Sequence, residues 1–133
     1  MAMYKDIIEV TIDLRKGFEG ETSDGVVSTV KQYDNLSRVL RCRLKNKDKL
    51  ISLKDSRLLL CVRKPDNSLV MIQGEVSKES AGFVDFTLTR KALAMEGIIT
   101  CEIVQLGTDK STMSFSEFSL KVVKTNVSED LFG

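Results

Sequence analysis

One stretch of the sequence decides the predicted fold: Arg57-Leu58-Leu59-Leu60-Cys61-Val62-Arg63-Lys64-Pro65-Asp66-Asn67-Ser68-Leu69-Val70-Met71-Ile72-Gln73. Two short apolar runs flank a four-residue break that begins at Pro65. Proline presets φ for the second position of a tight turn, and Asp66 and Asn67 tolerate the left-handed conformation that can follow. The apolar run 58–62 is too short for a helix with such a stop, and it is typical of a strand buried on both faces near the centre of a sheet. We therefore predict a β-hairpin over 57–73.

Alternation of apolar and polar residues predicts six further strands, which makes about eight with the two strands of the hairpin. The further segments are 7–14, 26–33, 36–45, 83–88, 98–106 and 115–123. Segment 26–33 alternates least cleanly, so we expect it at the edge of a sheet. The second hairpin strand is expected to run on through Gly74 to Val76, and a glycine inside a strand indicates a bulge or a close approach of the backbone. Good helix formers follow Thr89 and end at Gly97, which predicts one short helical turn.

The spacing of these segments is typical of a β-sandwich. Strands recur at roughly 8–12 residues, no repeat or low-complexity segment interrupts them, and the only proline lies in the hairpin turn. A chain of 133 residues is long enough to bury one hydrophobic core. We therefore predict an all-β fold, an antiparallel β-sandwich, that forms a single domain over 1–133. Its core is expected at about 7–124, with a polar tail at 125–133.

Charge and composition argue against several classes of function. Lys and Arg total 20 against 19 Asp and Glu, so the formal net charge of +1 predicts no long-range attraction to nucleic acid or to an anionic membrane. Histidine is absent, which removes the Ser-His and Cys-His nucleophile pairs and nearly all zinc sites. The N-terminus lacks the pattern of a signal peptide, and the longest apolar run is far below the ~18 residues of a membrane span. We therefore expect a soluble protein, made in the cytoplasm, without catalytic residues, metal or cofactor.

The three cysteines are expected to be buried, reduced thiols. Cys42, Cys61 and Cys101 are far apart in the sequence, odd in number, and form no Cys-x-x-Cys pair. Each lies in an apolar alternation, and free cysteine is among the most buried residue types. A disulfide between two of them is the alternative.

A row of basic residues on segment 36–45 is the sharpest charge feature of the chain. The row consists of Arg38, Arg41, Arg43 and Lys45. It could form an anion-binding or nucleic-acid-binding face. A solvated strand face is favoured instead, because cations also protect strands from edge pairing and no aromatic residue alternates with these cations.

Carbohydrate binding and glycoside hydrolysis are two further possibilities. A carbohydrate-binding or cell-wall-binding face would need exposed aromatic residues, but the chain has no Trp and only Tyr4 and Tyr33. A glycosidase needs two carboxylates, yet Asp85, Glu102 and Glu117 each alternate with apolar residues and are expected to face solvent. The sequence therefore argues against a carbohydrate-binding module and against a small β enzyme.

Several motifs follow one another in a characteristic order. They are Glu9-Val10-Thr11-Ile12-Asp13-Leu14, Leu53-Lys54-Asp55, Arg63-Lys64-Pro65-Asp66-Asn67-Ser68, Gly74, Gly82-Phe83-Val84-Asp85-Phe86-Thr87-Leu88, Leu93-Ala94-Met95-Glu96-Gly97, and the segment from Thr112 through Phe115 and Phe118 to Val122. In this order they resemble the N-terminal domain of the phage baseplate upper protein family, over roughly Ile7 to Lys124. One departure is Tyr33-Asp34-Asn35, where the resemblance leads us to expect a Gly-Asp turn.

The resemblance implies a β-sandwich of the virion that docks on the central hub of a phage tail and has no catalytic residues. In the family a following part of the chain holds the receptor-binding protein for host attachment. The implied partners are therefore the hub, the receptor-binding protein and further copies of the chain, and no nucleic acid or membrane is implied. Whether the chain is complete or is only the docking domain stays open.

Segments outside the predicted core strands are the candidate interface. The candidate residues are Met1, Met3, Tyr4, Phe18, Leu131 and Phe132. Apolar side chains at a chain end gain nothing from staying in water, so a partner surface could bury them. The alternative is that both ends are simply frayed termini.

Overall fold

The computed structural model describes residues 4–19, 25–76 and 83–126, and within these ranges it contains twelve strands and no helix. The strands are β1 (Asp6–Asp13), β2 (Gly17–Glu19), β3 (Val26–Lys31), β4 (Arg38–Asn46), β5 (Lys49–Leu50), β6 (Arg57–Arg63), β7 (Leu69–Gln73), β8 (Glu75–Val76), β9 (Phe83–Thr87), β10 (Gly97–Leu106), β11 (Thr112–Ser114) and β12 (Phe118–Val123). All eight predicted strands are present, and short strands of two or three residues account for the rest.

The strands form two six-stranded sheets arranged as a sandwich, which confirms the predicted all-β fold. The first sheet has the order β2-β1-β4-β9-β8, with β5 beside β4. The second sheet has the order β3-β12-β10-β6-β7, with β11 beside β10. The described residues contain no helix that is long and apolar enough to cross a membrane.

Both sheets are mixed, whereas the sequence predicted antiparallel pairing throughout. β1 runs parallel to β4, and β3 runs parallel to β12. The reason is connectivity: β3 lies in the second sheet, so the chain leaves the first sheet after β2 and returns to it at β4. A short hairpin loop can join only antiparallel strands, whereas parallel strands need a longer connection. The chain passes from the first sheet to the second and back between β1 and β4, and this long connection allows β4 to run in the same direction as β1.

Alternate residues of the long strands fill one core between the sheets. Ile8, Val10 and Ile12 of β1 are buried in this core, as the period of two predicts, and the strand ends at Asp13, which is buried as well. Leu60 of β6 and Phe86 of β9 are fully buried. These inward side chains supply the apolar area that stabilises the sandwich.

The predicted hairpin over 57–73 is confirmed, since β6 pairs antiparallel with β7. The N–H group of Asn67 donates to the Lys64 carbonyl at 2.8 Å, and Asn67 has a φ of 68°. The prediction that the apolar run 58–62 is buried on both faces was wrong, because Leu59 and Cys61 are only half-buried. Their side chains point to the outer face of the second sheet, away from the core.

A single hydrogen-bonded turn, without a helix, lies where the sequence predicted one short helical turn after Thr89. The Thr89 carbonyl accepts N–H groups from Ala92 and Leu93 at 3.1 and 3.2 Å, and the Thr89 hydroxyl lies 3.4 Å from the Ala92 nitrogen. The cap is therefore present, but no helix follows. Both Ala92 and Leu93 are fully buried, so packing of their side chains into the core holds the turn in place.

Candidate functional site

Two of the six residues of the predicted interface, Tyr4 and Phe18, lie within the described residues. Met1, Met3, Leu131 and Phe132 lie outside the described residues. Tyr4 is 84% exposed, and the backbone of Phe18 in β2 pairs with that of Ile12 in β1. Tyr4 and Phe18, the two members that the structure describes, lie near opposite ends of β1 and form no common surface.

The predicted basic row lies on β4, and its first two members are paired with carboxylates. Arg38 donates to Asp6 at 2.7 Å and to Asp34 at 2.9 Å. Arg41 makes a two-pronged contact with Asp85, at 2.9 and 3.0 Å, across the pair formed by β4 and β9. Hydrogen bonds and the charge of Asp85 raise the pKa of Arg41 above its ordinary value. These guanidinium groups are therefore engaged by anions of the same chain.

The other two cations of the row also have partners. The guanidinium carbon of Arg43 lies 4.7 Å from the ring centre of Phe83, a distance at which a cation is attracted by an aromatic face. The Lys45 ammonium lies 3.7 Å from a carboxylate oxygen of Glu19. Each cation of the row thus has a partner within the chain, which favours the interpretation of the row as a solvated strand face.

The outer face of the second sheet is different, because it carries an apolar surface that the sequence analysis did not identify. We call this surface the outer patch; it consists of Leu59, Cys61, Leu69, Met71 and Val104. Cys61 lies opposite Met71, and Leu59 lies opposite Val104 in the strand register. Leu69 is 62% exposed and Met71 is 59% exposed. The signal for this surface was available in the uninterrupted run 58–62, which leaves apolar side chains on both faces of one strand.

Charged residues border the outer patch, among them Arg63 of β6, which lies opposite Leu69 of β7. Glu102 of β10 lies opposite Cys61 of β6. Partial burial and, secondarily, the charge of Glu102 raise the pKa of the Cys61 thiol. Cys61 is only half-buried, so the prediction that all three thiols are buried was wrong for this one, whereas Cys42 and Cys101 are fully buried. All three are free cysteines, as predicted.

A group of three carboxylates lies at one end of the first sheet. Oxygen atoms of Asp13, Glu19 and Asp48 lie within 4.8 Å of one another. Asp13 is buried and accepts N–H groups from Arg15 at 2.8 Å, from Lys16 at 3.1 Å and from Asp48 at 2.9 Å. These bonds, above all the one from Asp48, hold the pKa of Asp13 well below its ordinary value. The carboxylate therefore ties the turn after β1 to the turn after β4.

Comparison with known proteins identifies the family of this chain. Residues 10–132 match the model of the BppU N-terminal domain, the N-terminal domain of phage baseplate upper proteins. The chain belongs to this family. The match covers nearly the whole range over which the sequence motifs resemble the family, and it assigns this BppU N-terminal domain a structural role in a phage baseplate, within the virion.

The fold of this BppU N-terminal domain recurs among solved structures. The N-terminal domain of phage TP901-1 ORF48 superposes with a TM-score of 0.68 at 11% sequence identity, covering 88% of this chain and 98% of that chain. At so low an identity the likeness concerns the fold alone. No significant match was found among proteins of curated function.

Proposed function

We propose that this BppU N-terminal domain is a non-enzymatic scaffold that docks on the hub of a phage tail and helps to position the receptor-binding proteins for host attachment. The single observation that supports docking is the outer patch. Four apolar side chains and the thiol of Cys61 lie together on one sheet face, and two of the five, Leu69 and Met71, are more than half exposed. Apolar surface of this kind commonly marks a protein interface.

The charge distribution supports contact by shape and apolar burial rather than by long-range attraction. The formal net charge is +1, and three of the four cations of the row on β4 are paired with carboxylates of the same chain, those of Asp6, Asp34, Asp85 and Glu19. Long-range steering requires a strong local or net charge. The proposed hub partner is therefore a protein that offers a complementary apolar surface.

No observation favours the alternative of a cell-wall or carbohydrate-binding module. Sugar-binding faces use exposed aromatic rings. Among the aromatic side chains whose burial is described, only Tyr4 is exposed. The terminal residues that the sequence suggested remain a proposed second contact with the hub or with the receptor-binding protein.

A binding experiment with the purified hub protein of the same phage tests the docking surface. Val104→Lys introduces a charge into the outer patch, and Thr87→Lys introduces the same charge on the outer face of the first sheet. Each of these two side chains is half-buried. We expect Val104→Lys to weaken binding by roughly tenfold or more, as changes at residues buried in an interface can do, and Thr87→Lys to leave the affinity nearly unchanged.

A truncated chain that lacks residues 1–6 and 126–133 separates the two proposed contacts. If binding depends on the outer patch alone, the truncated chain binds the hub with the affinity of the full chain. If it depends on the termini, the truncation weakens binding and Val104→Lys does not. Hub binding that survives both changes together, with the melting temperatures intact, would refute the proposal.

A further inference from the structure

β7 forms one edge of the second sheet, and its free side is lined by unpaired backbone groups among the described residues. The N–H group of Gly74 donates to the carbonyl of Leu58 in β6 at 2.8 Å. Hydrogen-bonded residues alternate along an antiparallel strand, so the even-numbered residues of β7 face β6. Leu69, Met71 and Gln73 therefore direct their N–H and C=O groups away from the sheet.

β7 also lacks the features that usually protect an edge strand. Natural edges are very short, or carry lysine, proline or inward charges. Among the other edge strands, β2 has three residues, β8 has two, and β3 ends at the exposed Lys31. β7 has five residues, Leu69-Val70-Met71-Ile72-Gln73, without charge or proline, and its outward side chains are exposed. An edge of this kind is a template for pairing with another extended strand.

The arrangement of β7 is complementary to itself. Its three outward residues are centred on Met71, with Leu69 and Gln73 two positions to either side. An antiparallel copy centred on the same residue would pair Met71 with Met71 of the second copy and Leu69 with Gln73 of the second copy. All of these are positions whose N–H and C=O groups face the partner, so every pair can exchange two hydrogen bonds. Because β7 carries no charge, the two-fold axis brings no like charges together.

We propose that two copies of this chain associate through antiparallel pairing of β7 with β7, so that their second sheets join into one continuous sheet. The outer patch then continues across the junction. The Met71 side chains of the two copies lie side by side, and within each copy Cys61 is the neighbour of Met71 on β6. This inference concerns contact between copies and stands independently of docking on a hub. A foreign strand, or residues of this chain outside the described ranges, would be a different occupant of the same edge.

The proposed contact is small, so the dimer is expected to be weak. One strand of five residues from each copy buries less area than the ~1,200 Å² at which stable interfaces begin. We expect a dissociation constant on the order of 100 µM, in the range of weak, transient contacts. Such a contact becomes effective when a larger assembly brings copies close together.

Charge substitution at Met71 tests the pairing in the full chain. Met71 is 59% exposed and its backbone groups are not bonded to β6, so Met71→Lys and Met71→Glu should both fold as the wild type does. Like charges directly opposite each other destabilise a strand pair. We expect sedimentation velocity up to about 1 mM, above the expected dissociation constant, to show a dimer for the wild type and a monomer for each variant alone.

A mixture of the two variants tests whether the strand that pairs with β7 is β7 of a second copy. If Met71 faces Met71, an equimolar mixture of Met71→Lys and Met71→Glu places opposite charges across the axis and restores the dimer. Met113→Lys and Met113→Glu are matched controls, because Met113 is 43% exposed but lies on β11; both should dimerise as the wild type does. A monomeric wild type, dimers of either Met71 variant alone, or a mixture that stays monomeric would each overturn the proposal.

Discussion

Replacing Gly74 by alanine tests how the chain passes from the second sheet to the first. Gly74 lies between β7 and β8, which belong to different sheets. A Cβ atom at this position would lie 2.5 Å from Cγ2 of Val84 and 2.6 Å from Cε1 of Phe86. Both neighbours belong to the core and are at most 1% exposed. Neither side chain can move aside without displacing other core residues.

The expected cost follows from two opposing effects. Forcing one extra carbon into a packed core costs about 1–3 kcal/mol of unfolding free energy. The smaller conformational freedom of alanine in the unfolded chain returns about 0.4–1 kcal/mol. Gly74 has no left-handed φ that would add backbone strain. We therefore expect a net loss of about 1–2 kcal/mol, or a melting temperature lower by about 3–10 °C for a domain of this size.

Equilibrium unfolding in urea measures this loss, and a second variant identifies its cause. Gln73→Ala is the control, because this neighbour is exposed and should change the free energy by less than ~0.5 kcal/mol. Val84→Ala removes the atom nearest to the added carbon, so Gly74→Ala should cost less in that background than in the wild type, by about 0.5 kcal/mol or more. If Gly74→Ala is as stable as the wild type, or if the two costs simply add, the steric argument is refuted.

The thiols and Asp13 give two further predictions. Burial raises the pKa of the Cys42 thiol and raises that of Cys101 to about 12, so a thiol reagent at pH 8 should modify Cys61 first; mass spectrometry of the native protein would contradict this if Cys42 or Cys101 reacted as fast. Asp13→Asn should be less stable than the wild type at pH 7, because an amide nitrogen replaces one oxygen that accepts N–H groups. The pKa of Asp13 lies below the ordinary 3.8 in the folded state, so its contribution is complete at neutral pH and is lost as the pH falls below that value. Urea unfolding at pH 7 and at about pH 2.5 should therefore show a smaller difference in acid, and an equal difference would contradict the role of the carboxylate.

Local chemistry made the strands and the hairpin predictable from the sequence. Leu40, Cys42 and Leu44 alternate with cations, and a period of two allows one buried face to be assigned from the sequence. The hairpin was predictable because Pro65 and Asn67 fit the conformations that its turn requires. Each of these signals depends on residues close together in the chain.

The pairing of strands was not predictable, because it depends on contacts between residues far apart. Nothing near Ile8 indicates that it lies opposite Leu40 in a parallel pair, since the chain visits the other sheet between them. The turn before β4 gives a second example. Tyr33 and Leu36 adopt φ values of 66° and 61°, conformations that favour glycine, so the sequence departs from the expected Gly-Asp turn while the backbone still turns there.

The outer patch contains two residues, Leu59 and Cys61, whose burial the sequence predicted wrongly. An uninterrupted apolar run implies burial on both faces, yet Leu59 and Cys61 face outward and are half-buried in the single chain. Disagreements between a sequence pattern and the burial in the single chain are expected at functional sites, where residues are selected for contact with a partner. Leu69 and Met71 continue the same surface and add little to the core, because more than half of each side chain is exposed. A second protein on this face would complete the burial that the run 58–62 implies, and the proposed hub contact supplies such a protein; the proposed pairing of copies acts instead through the edge strand β7 and extends the same face.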